Sequence, residues 1–93
     1  MNAAIRSQEH VVYRMYGKGE RLLYIGFTNS MKDRLRVHQQ SSPWFHEVLC
    51  VTSVALPNRN TALLEEAFAI RAEQPLYNIR HTGRPQKFWS VAA

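Results

Sequence analysis

The segment RLLYIGFT, residues 21–28, decides the fold of this chain. Its aromatic and β-branched side chains are typical of a β-strand. A second segment of the same kind, HVVYRMY at residues 10–16, precedes it, and the polar, glycine-containing turn GKGE separates the two. Two such segments joined by a short turn predict an antiparallel β-hairpin.

Alternation within the hairpin predicts which side chains share a face. Successive side chains of a strand point to opposite sides of the sheet. Tyr13 is therefore expected beside Val11 and Met15, and Tyr24 is expected beside Leu22.

The residues after the hairpin predict a helix, a third strand and a second helix. Asn29 or Ser30 is a suitable N-cap for a helix over residues 31–40, and Asp33 completes an acidic variant of the capping box. The third strand is expected over residues 49–56.

The second helix is expected over residues 62–73, with Asn60 or Thr61 as its N-cap. A stripe of apolar residues along this helix is expected to face the core. The stripe comprises Leu63, Leu64, Ala67, Phe68 and Ile70.

Length and composition restrict the class of protein. The 93 residues, 45% of them hydrophobic and 20% charged, are expected to form one soluble globular domain. No apolar segment is long enough to cross a membrane and the first nine residues lack a signal-peptide core, so a cytoplasmic location is expected. The single Cys50, between Leu49 and Val51, is expected to be a buried thiol. The net charge of +5 is compatible with a polyanionic partner.

Polar side chains suited to phosphate chemistry follow the hairpin. Arg34 comes ten residues after Tyr24, and His38 follows four residues later, so both lie on one face of the first helix. Glu66 lies on the second helix, and Asn78 comes twelve residues after it. Each residue has an ordinary structural interpretation when taken alone, as a surface charge, a helix histidine or a turn asparagine.

Taken together, the pattern resembles the GIY-YIG nuclease domain. The residues that carry the resemblance are Tyr13, Tyr24-Ile25-Gly26, Arg34, His38, Glu66, Pro75, Tyr77 and Asn78. It covers residues 11–79 and implies an α/β (α+β) fold, in which helices flank a small three-stranded antiparallel sheet in the order β-β-α-β-α, followed by a closing segment. Residues 1–93 would form a single domain, with residues 80–93 as a basic and aromatic extension.

The first half of the family motif departs from the pattern. It is Val11-Val12-Tyr13 here, so only the tyrosine is kept. The other two positions pack within a strand, and valine is well suited to that environment. The departure is therefore expected to leave the chemistry unaffected.

The resemblance implies an endonuclease that hydrolyses DNA phosphodiester bonds with one divalent cation, Mg²⁺ or Mn²⁺. Glu66 is the expected metal ligand, because Mg²⁺ keeps several waters and needs only one or two protein carboxylates. Arg34 is expected to stabilise the charge of the transition state. Tyr13 and Tyr24 are expected to position the attacking water. The general base is left open among the two tyrosines and His38.

The end of the chain supplies further candidates. Asn78 is expected either to hold the local backbone or to contact neighbouring site groups and the substrate. Arg80, Arg84 and Lys87 are expected phosphate contacts. The aromatic pair at residues 88–89 could extend that surface by stacking on bases, or could pack on the domain.

Two other functions fit the same sequence. One is a catalytically silent module that binds nucleic acid, and the other is a module that recruits a partner protein. RNA remains open as a substrate, and no membrane partner is expected. The sequence specificity of the chain alone is expected to be low, and a homodimer or a targeting partner would supply it.

Overall fold

The computed structural model describes residues 9–78 and has the predicted order of elements. The strands are β1 (His10–Tyr16), β2 (Leu22–Thr28) and β3 (Cys50–Leu56), and the helices are α1 (Met31–Ser41) and α2 (Arg59–Glu73). Single turns of 3₁₀ helix occur at Lys18–Glu20 and Phe45–Glu47.

The three strands form one antiparallel sheet in the order β2-β1-β3. On the central strand β1, Tyr13 lies opposite Gly26 of β2 and Ser53 of β3. The predicted fold class, a small antiparallel three-stranded sheet with two helices, is confirmed. Tyr13 and Met15 of this central strand are almost completely buried.

One face of the sheet packs against α2. Val12 of β1 and Ile25 of β2 contact Ala62, Ala69 and Ile70 of that helix. We call these five buried residues the aliphatic cluster. Partly buried hydrophobic side chains from β2 and β3 surround it, so the cluster joins the sheet to α2.

The opposite face carries a different group of side chains. Tyr13, Met15 and Trp44 are buried there, and Tyr24 and Tyr77 pack against them. We call these five residues the aromatic cluster. Apolar side chains of α1 and of the segment before β3 also pack against it.

An irregularity in the hairpin alters the predicted alternation. Met15 pairs with Tyr24, but Tyr16 pairs with Leu22, so β2 has one extra residue at this point. Such a bulge reverses the face on which the following side chain lies. Leu22 consequently packs with the aliphatic cluster and Tyr24 with the aromatic cluster. The prediction that these two residues share a face was wrong, because nothing in the local pattern indicated the bulge.

The second helix begins earlier than predicted. α2 starts at Arg59, and its N-cap is Asn58, whose side chain accepts a hydrogen bond of 2.8 Å from the backbone N–H of Thr61. The prediction of a start at residue 62 with Asn60 or Thr61 as the cap was wrong. The helix ends at Glu73, as predicted.

The predicted apolar stripe of α2 was also wrong in part. Leu64 and Phe68 are 72% and 71% exposed, whereas the small residues Ala62 and Ala69 are buried. The buried alanines give the helix backbone a close approach to the sheet, since a short side chain occupies little space between the two layers. Ile70 is fully buried, as predicted.

The start of α1 agrees with the sequence prediction, whereas the environment of Cys50 does not. The helix α1 begins at Met31, and its N-cap is Ser30, whose hydroxyl accepts a 3.4 Å hydrogen bond from the backbone N–H of Asp33. Cys50 is exposed rather than buried, because it lies at the first position of the edge strand β3. Within residues 9–78, neither helix has the length and apolar character needed to cross a membrane.

Candidate active site

Tyr13 is at the centre of the candidate site. It projects from the middle strand, and its ring lies across Gly26 of β2, the residue paired with it. A Cβ atom on Gly26 would lie 2.7 Å from Cε2 of the Tyr13 ring and closer still to its hydroxyl end. The glycine of the Tyr24-Ile25-Gly26 motif is therefore required to make room for the tyrosine of the preceding strand.

His38 reaches Tyr13 from the last part of α1. The Tyr13 hydroxyl and Nε2 of His38 are 2.8 Å apart in a buried hydrogen bond. The other ring nitrogen, Nδ1, is 2.8 Å from the hydroxyl of Ser42. The imidazole is 5% exposed, so both of its nitrogens are bonded to protein groups in a nearly dry environment.

Two charged residues, Arg34 and Glu66, act on the pKa of Tyr13. Burial raises the pKa of the Tyr13 phenol most, and the neighbouring Tyr24 raises it further. The Arg34 charge lowers the pKa of Tyr13 and the Glu66 charge raises it, so both side chains act on this phenol. Arg34 is exposed and Glu66 is half-buried, which leaves each accessible to a ligand from solvent.

The surroundings of His38 favour its neutral form. Burial lowers the pKa of His38, and the nearby positive charge of Arg34 lowers it further. A neutral imidazole has one nitrogen that donates a hydrogen bond and one that accepts. His38 is therefore available as a proton acceptor near neutral pH.

Tyr24 is held by stacked aromatic rings. Its ring stacks on Trp44, with centroids 5.2 Å apart, and Trp44 stacks in turn on Tyr77 at 5.1 Å with an angle of 6° between the planes. The Tyr77 hydroxyl donates a 2.7 Å hydrogen bond to a carboxylate oxygen of Glu47. The edge-to-face contact of Tyr24 with His38, at 4.8 Å, links this stack to the hydrogen-bonded pair.

The side chain of Asn78 contacts the backbone of β2 at Ile25. Its Oδ1 accepts a 2.7 Å hydrogen bond from the N–H of Ile25, and its Nδ2 donates one of the same length to the carbonyl of Ile25. The residue is 6% exposed. Of the two roles considered for Asn78, the geometry corresponds to fixing the backbone, at the residue that follows Tyr24.

The structure thus brings together most of the predicted side chains. Tyr13, Tyr24 and His38 are in mutual contact, and Arg34 and Glu66 act on the same phenol. In the described part of the chain, no three histidine, cysteine or carboxylate side chains come close enough to form a metal cluster. The predicted phosphate contacts Arg80, Arg84 and Lys87 lie outside the described residues.

Two residues of the site were missed in the sequence. Ser42 contacts His38, and the four-residue spacing between them was a signal that could have indicated the contact. Trp44 lies between Tyr24 and Tyr77, which are twenty and thirty-three residues away along the chain. No local pattern identifies partners at such separations.

Comparison with known proteins adds to this geometry. A family model described as the GIY-YIG catalytic domain matches residues 9–78. No curated protein matches the sequence significantly.

Solved structures of one domain are similar to the chain. The first is an asparagine-to-alanine variant of the GIY-YIG N-terminal endonuclease domain of UvrC from Thermotoga maritima, bound to its catalytic divalent cation. It is 25% identical, with a TM-score of 0.67 over 86% of this chain and 100% of that one. A tyrosine-to-phenylalanine variant of the same domain, also bound to its catalytic divalent cation, is 26% identical with the same TM-score and coverage.

Proposed function

The chain belongs to the GIY-YIG family, and we propose that it is an endonuclease that hydrolyses phosphodiester bonds of DNA with the help of one divalent cation. The observation that carries the proposal is the meeting of Tyr13, Tyr24 and His38 beside the charges of Arg34 and Glu66. Phosphodiester hydrolysis needs a water to be deprotonated and the charge of the transition state to be neutralised, and this set of side chains offers both.

Glu66 is the proposed ligand of the cation. The UvrC domain variants similar to this chain are bound to their catalytic divalent cation. A single half-buried carboxylate suits Mg²⁺ or Mn²⁺, because such hard ions keep several waters and bind through one or two protein carboxylates. When bound, the cation supplies positive charge at the scissile phosphate and at the departing oxygen.

Arg34 is proposed to neutralise the extra negative charge of the transition state. Its guanidinium is exposed, and the planar arrangement of its donors matches phosphate oxygens. The charge of Arg34 lowers the pKa of Tyr13, which supports a role for Arg34 close to that phenol. A positive group in that position stabilises the transition state more than the substrate.

The proton of the attacking water is proposed to move through Tyr13 to His38. The buried phenol keeps its own hydrogen at neutral pH, so Tyr13 can accept a proton only as it gives one up. His38, neutral and 2.8 Å away, takes that hydrogen on Nε2 while Tyr13 receives the hydrogen of the water. The new P–O bond forms as the P–O3′ bond breaks, and the leaving oxygen takes a proton from solvent. Tyr24 is proposed to position the water beside Tyr13.

The test is cleavage of supercoiled plasmid by the purified chain in Mg²⁺ or Mn²⁺. Nicking or linearisation is expected, and EDTA is expected to stop it. Glu66→Ala is expected to abolish cutting, whereas Glu65→Ala, which removes the exposed carboxylate next to it on α2, is expected to leave cutting within about two-fold of wild type.

Three results would argue against the proposal. Plasmid binding without any cleavage would favour the catalytically silent nucleic-acid-binding module with the same fold. Absence of binding to DNA would favour a module that recruits a partner protein. Full activity of Glu66→Ala would remove the proposed metal ligand from the mechanism. Competition between DNA and RNA would identify the preferred substrate, and a cytoplasmic site of action remains a prediction from the sequence.

A further inference from the structure

Ser42 is the first residue after α1, and it contacts His38 twice. Its backbone N–H donates a 2.8 Å hydrogen bond to the carbonyl of His38, which ends the helix. Its side-chain hydroxyl lies 2.8 Å from Nδ1 of the same residue. The backbone contact is an ordinary helix ending, but the side-chain contact is directed at the ring that touches Tyr13.

A neutral imidazole can carry its hydrogen on either nitrogen, and its surroundings decide which. His38 is 5% exposed, so protein groups rather than water make this choice. Its two partners differ in acidity, because a phenol is a stronger hydrogen-bond donor and a weaker acceptor than an alkyl hydroxyl. Tyr13 is also joined to Tyr24 by a side-chain hydrogen bond. With the Tyr24 hydroxyl as the donor of that bond, the Tyr13 hydroxyl is free to donate to Nε2 of His38, and Nδ1–H of His38 donates to Ser42.

We propose that Ser42 is a positioning residue of the nuclease site, whose hydroxyl holds His38 in the Nδ1–H tautomer with the lone pair of Nε2 facing Tyr13. Without that hydroxyl the ring is free to rotate or to place its hydrogen on Nε2. The ring would then have no lone pair with which to take a proton from Tyr13. The side-chain hydroxyl of Ser42 bonds the ring of His38, so its proposed effect on the reaction passes through that ring. This inference rests on the proposed nuclease function.

The chain offers close controls for a test of this role. Ser42→Thr keeps a hydroxyl, and Ser42→Val has the same shape without one. Ser41→Ala removes the neighbouring serine hydroxyl, which bonds the carbonyl of Val37 at 2.7 Å on the exposed side of the helix. All of these variants keep the backbone N–H that ends α1.

Cleavage kinetics give the first readout. Ser42→Val and Ser42→Ala are expected to lower kcat roughly 10- to 100-fold, the usual range for loss of a group that orients a site residue. KM is expected to change less than about two-fold, since substrate contacts are untouched. Ser42→Thr is expected to keep kcat within a few-fold of wild type, and Ser41→Ala is expected to match wild type. Equal kcat for Ser42→Thr and Ser42→Val would overturn the proposal.

The second readout does not depend on activity. The nitrogen chemical shifts of the His38 ring, measured by NMR on ¹⁵N-labelled protein, report which nitrogen carries the hydrogen. Wild type and Ser42→Thr are expected to show the Nδ1–H tautomer, and Ser42→Val is expected to show a mixture or the other tautomer. An unchanged tautomer in Ser42→Val, or an Nε2–H ring in wild type, would overturn the assignment to Ser42. Failure of the wild type to cut any nucleic acid would instead overturn the nuclease function and leave the tautomer result intact.

Discussion

The two faces of the sheet are built from different kinds of side chain. The aliphatic cluster joins branched strand residues such as Val12 and Ile25 to α2, and its five residues are all apolar. The aromatic cluster contains stacked rings around Trp44, and its Tyr13 shares a buried hydrogen bond with His38. Apolar packing stabilises a fold with little demand on orientation, whereas a hydrogen-bonded aromatic layer fixes orientation and keeps reactive groups buried. The face with the aliphatic cluster therefore contributes mainly to stability, and the face with the aromatic cluster carries Tyr13 and Tyr24 of the candidate site.

The largest expected effect is a loss of stability when the aliphatic cluster is disturbed. Ile70→Ala is expected to lower the free energy of unfolding by about 2–5 kcal/mol, because it opens a cavity in the aliphatic cluster. Leu64→Ala on the same helix, at a residue that is 72% exposed, is expected to change it by less than about 0.5 kcal/mol. Urea unfolding curves would measure both. Activity per folded molecule is expected to be unchanged in Ile70→Ala, and a loss greater than the loss of folded protein would show that the faces are coupled.

Arg34→Ala is expected to lower activity without lowering stability. Arg34→Ala is expected to lower kcat by about 100- to 1,000-fold, by removing the charge that stabilises the transition state. Its stability is expected to stay within about 0.5 kcal/mol of wild type, because Arg34 is exposed. Arg36→Ala is the matched control, since Arg36 lies on the same helix, is exposed and pairs only weakly with Asp33 at 3.4 Å. Cleavage kinetics measure both variants, and comparable losses of kcat would show that removal of any positive charge from α1 slows cleavage, which would contradict a specific role for Arg34.

A substitution of Gly26, which contacts the Tyr13 ring of the neighbouring strand, is expected to lower both stability and activity. Gly26→Ala is expected to destabilise the fold by about 1–3 kcal/mol, because its new methyl group would overlap the Tyr13 ring. The displaced ring would also lose its hydrogen bond to His38, so cleavage is expected to fall. A double-mutant cycle with Tyr13→Ala checks the cause, since the alanine substitution at Gly26 should become nearly neutral when the ring is absent. Equal destabilisation in both backgrounds would point to the strand backbone instead.

The smallest expected effect comes from an ion pair on the stability side of the sheet. Arg14 donates hydrogen bonds to both carboxylate oxygens of Glu73, at 3.0 and 2.6 Å, and this pairing lowers the pKa of Glu73. The pair therefore stabilises the fold above the ordinary pKa of a glutamate, and the contribution is lost as the pH falls through the lowered value. Glu73→Gln is expected to cost below about 1 kcal/mol at pH 7, since the pair is partly exposed. Unfolding curves at neutral and acid pH should show the difference from wild type disappear at low pH, and a constant difference would contradict it.

The elements that could be predicted from the sequence are those with local signals. The hairpin and the start of α1 follow from strand composition, a glycine-containing turn and the Ser30 cap. The face of α2 was misread because large apolar residues were taken as the buried ones, while the sheet accepts Ala62 and Ala69. The bulge that separates Leu22 from Tyr24 depends on pairing between strands, which a single segment does not encode.

The candidate site divides in the same way. Arg34 and His38 became candidates through the family resemblance, since each alone has an ordinary structural interpretation on a helix. Ser42 and Trp44 owe their positions to contacts with residues that the fold brings near, and their types alone do not indicate chemistry. The resemblance to a family identified reactive groups, but the groups that hold them in place became visible only in the three-dimensional contacts.

The segment after α2, residues 76–78, affects how molecules of this chain can associate. The strand β2 is at an edge of the sheet, yet the backbone N–H groups of Leu76 and Tyr77 bond the carbonyls of Leu22 and Leu23, and the Asn78 amide occupies both backbone groups of Ile25. An edge strand with free N–H and C=O groups is a template on which another chain can pair and aggregate. Asn78→Ala would free the backbone N–H and C=O of Ile25, next to Tyr24. This substitution would therefore expose an edge on which a second molecule can pair, in addition to any effect on the site.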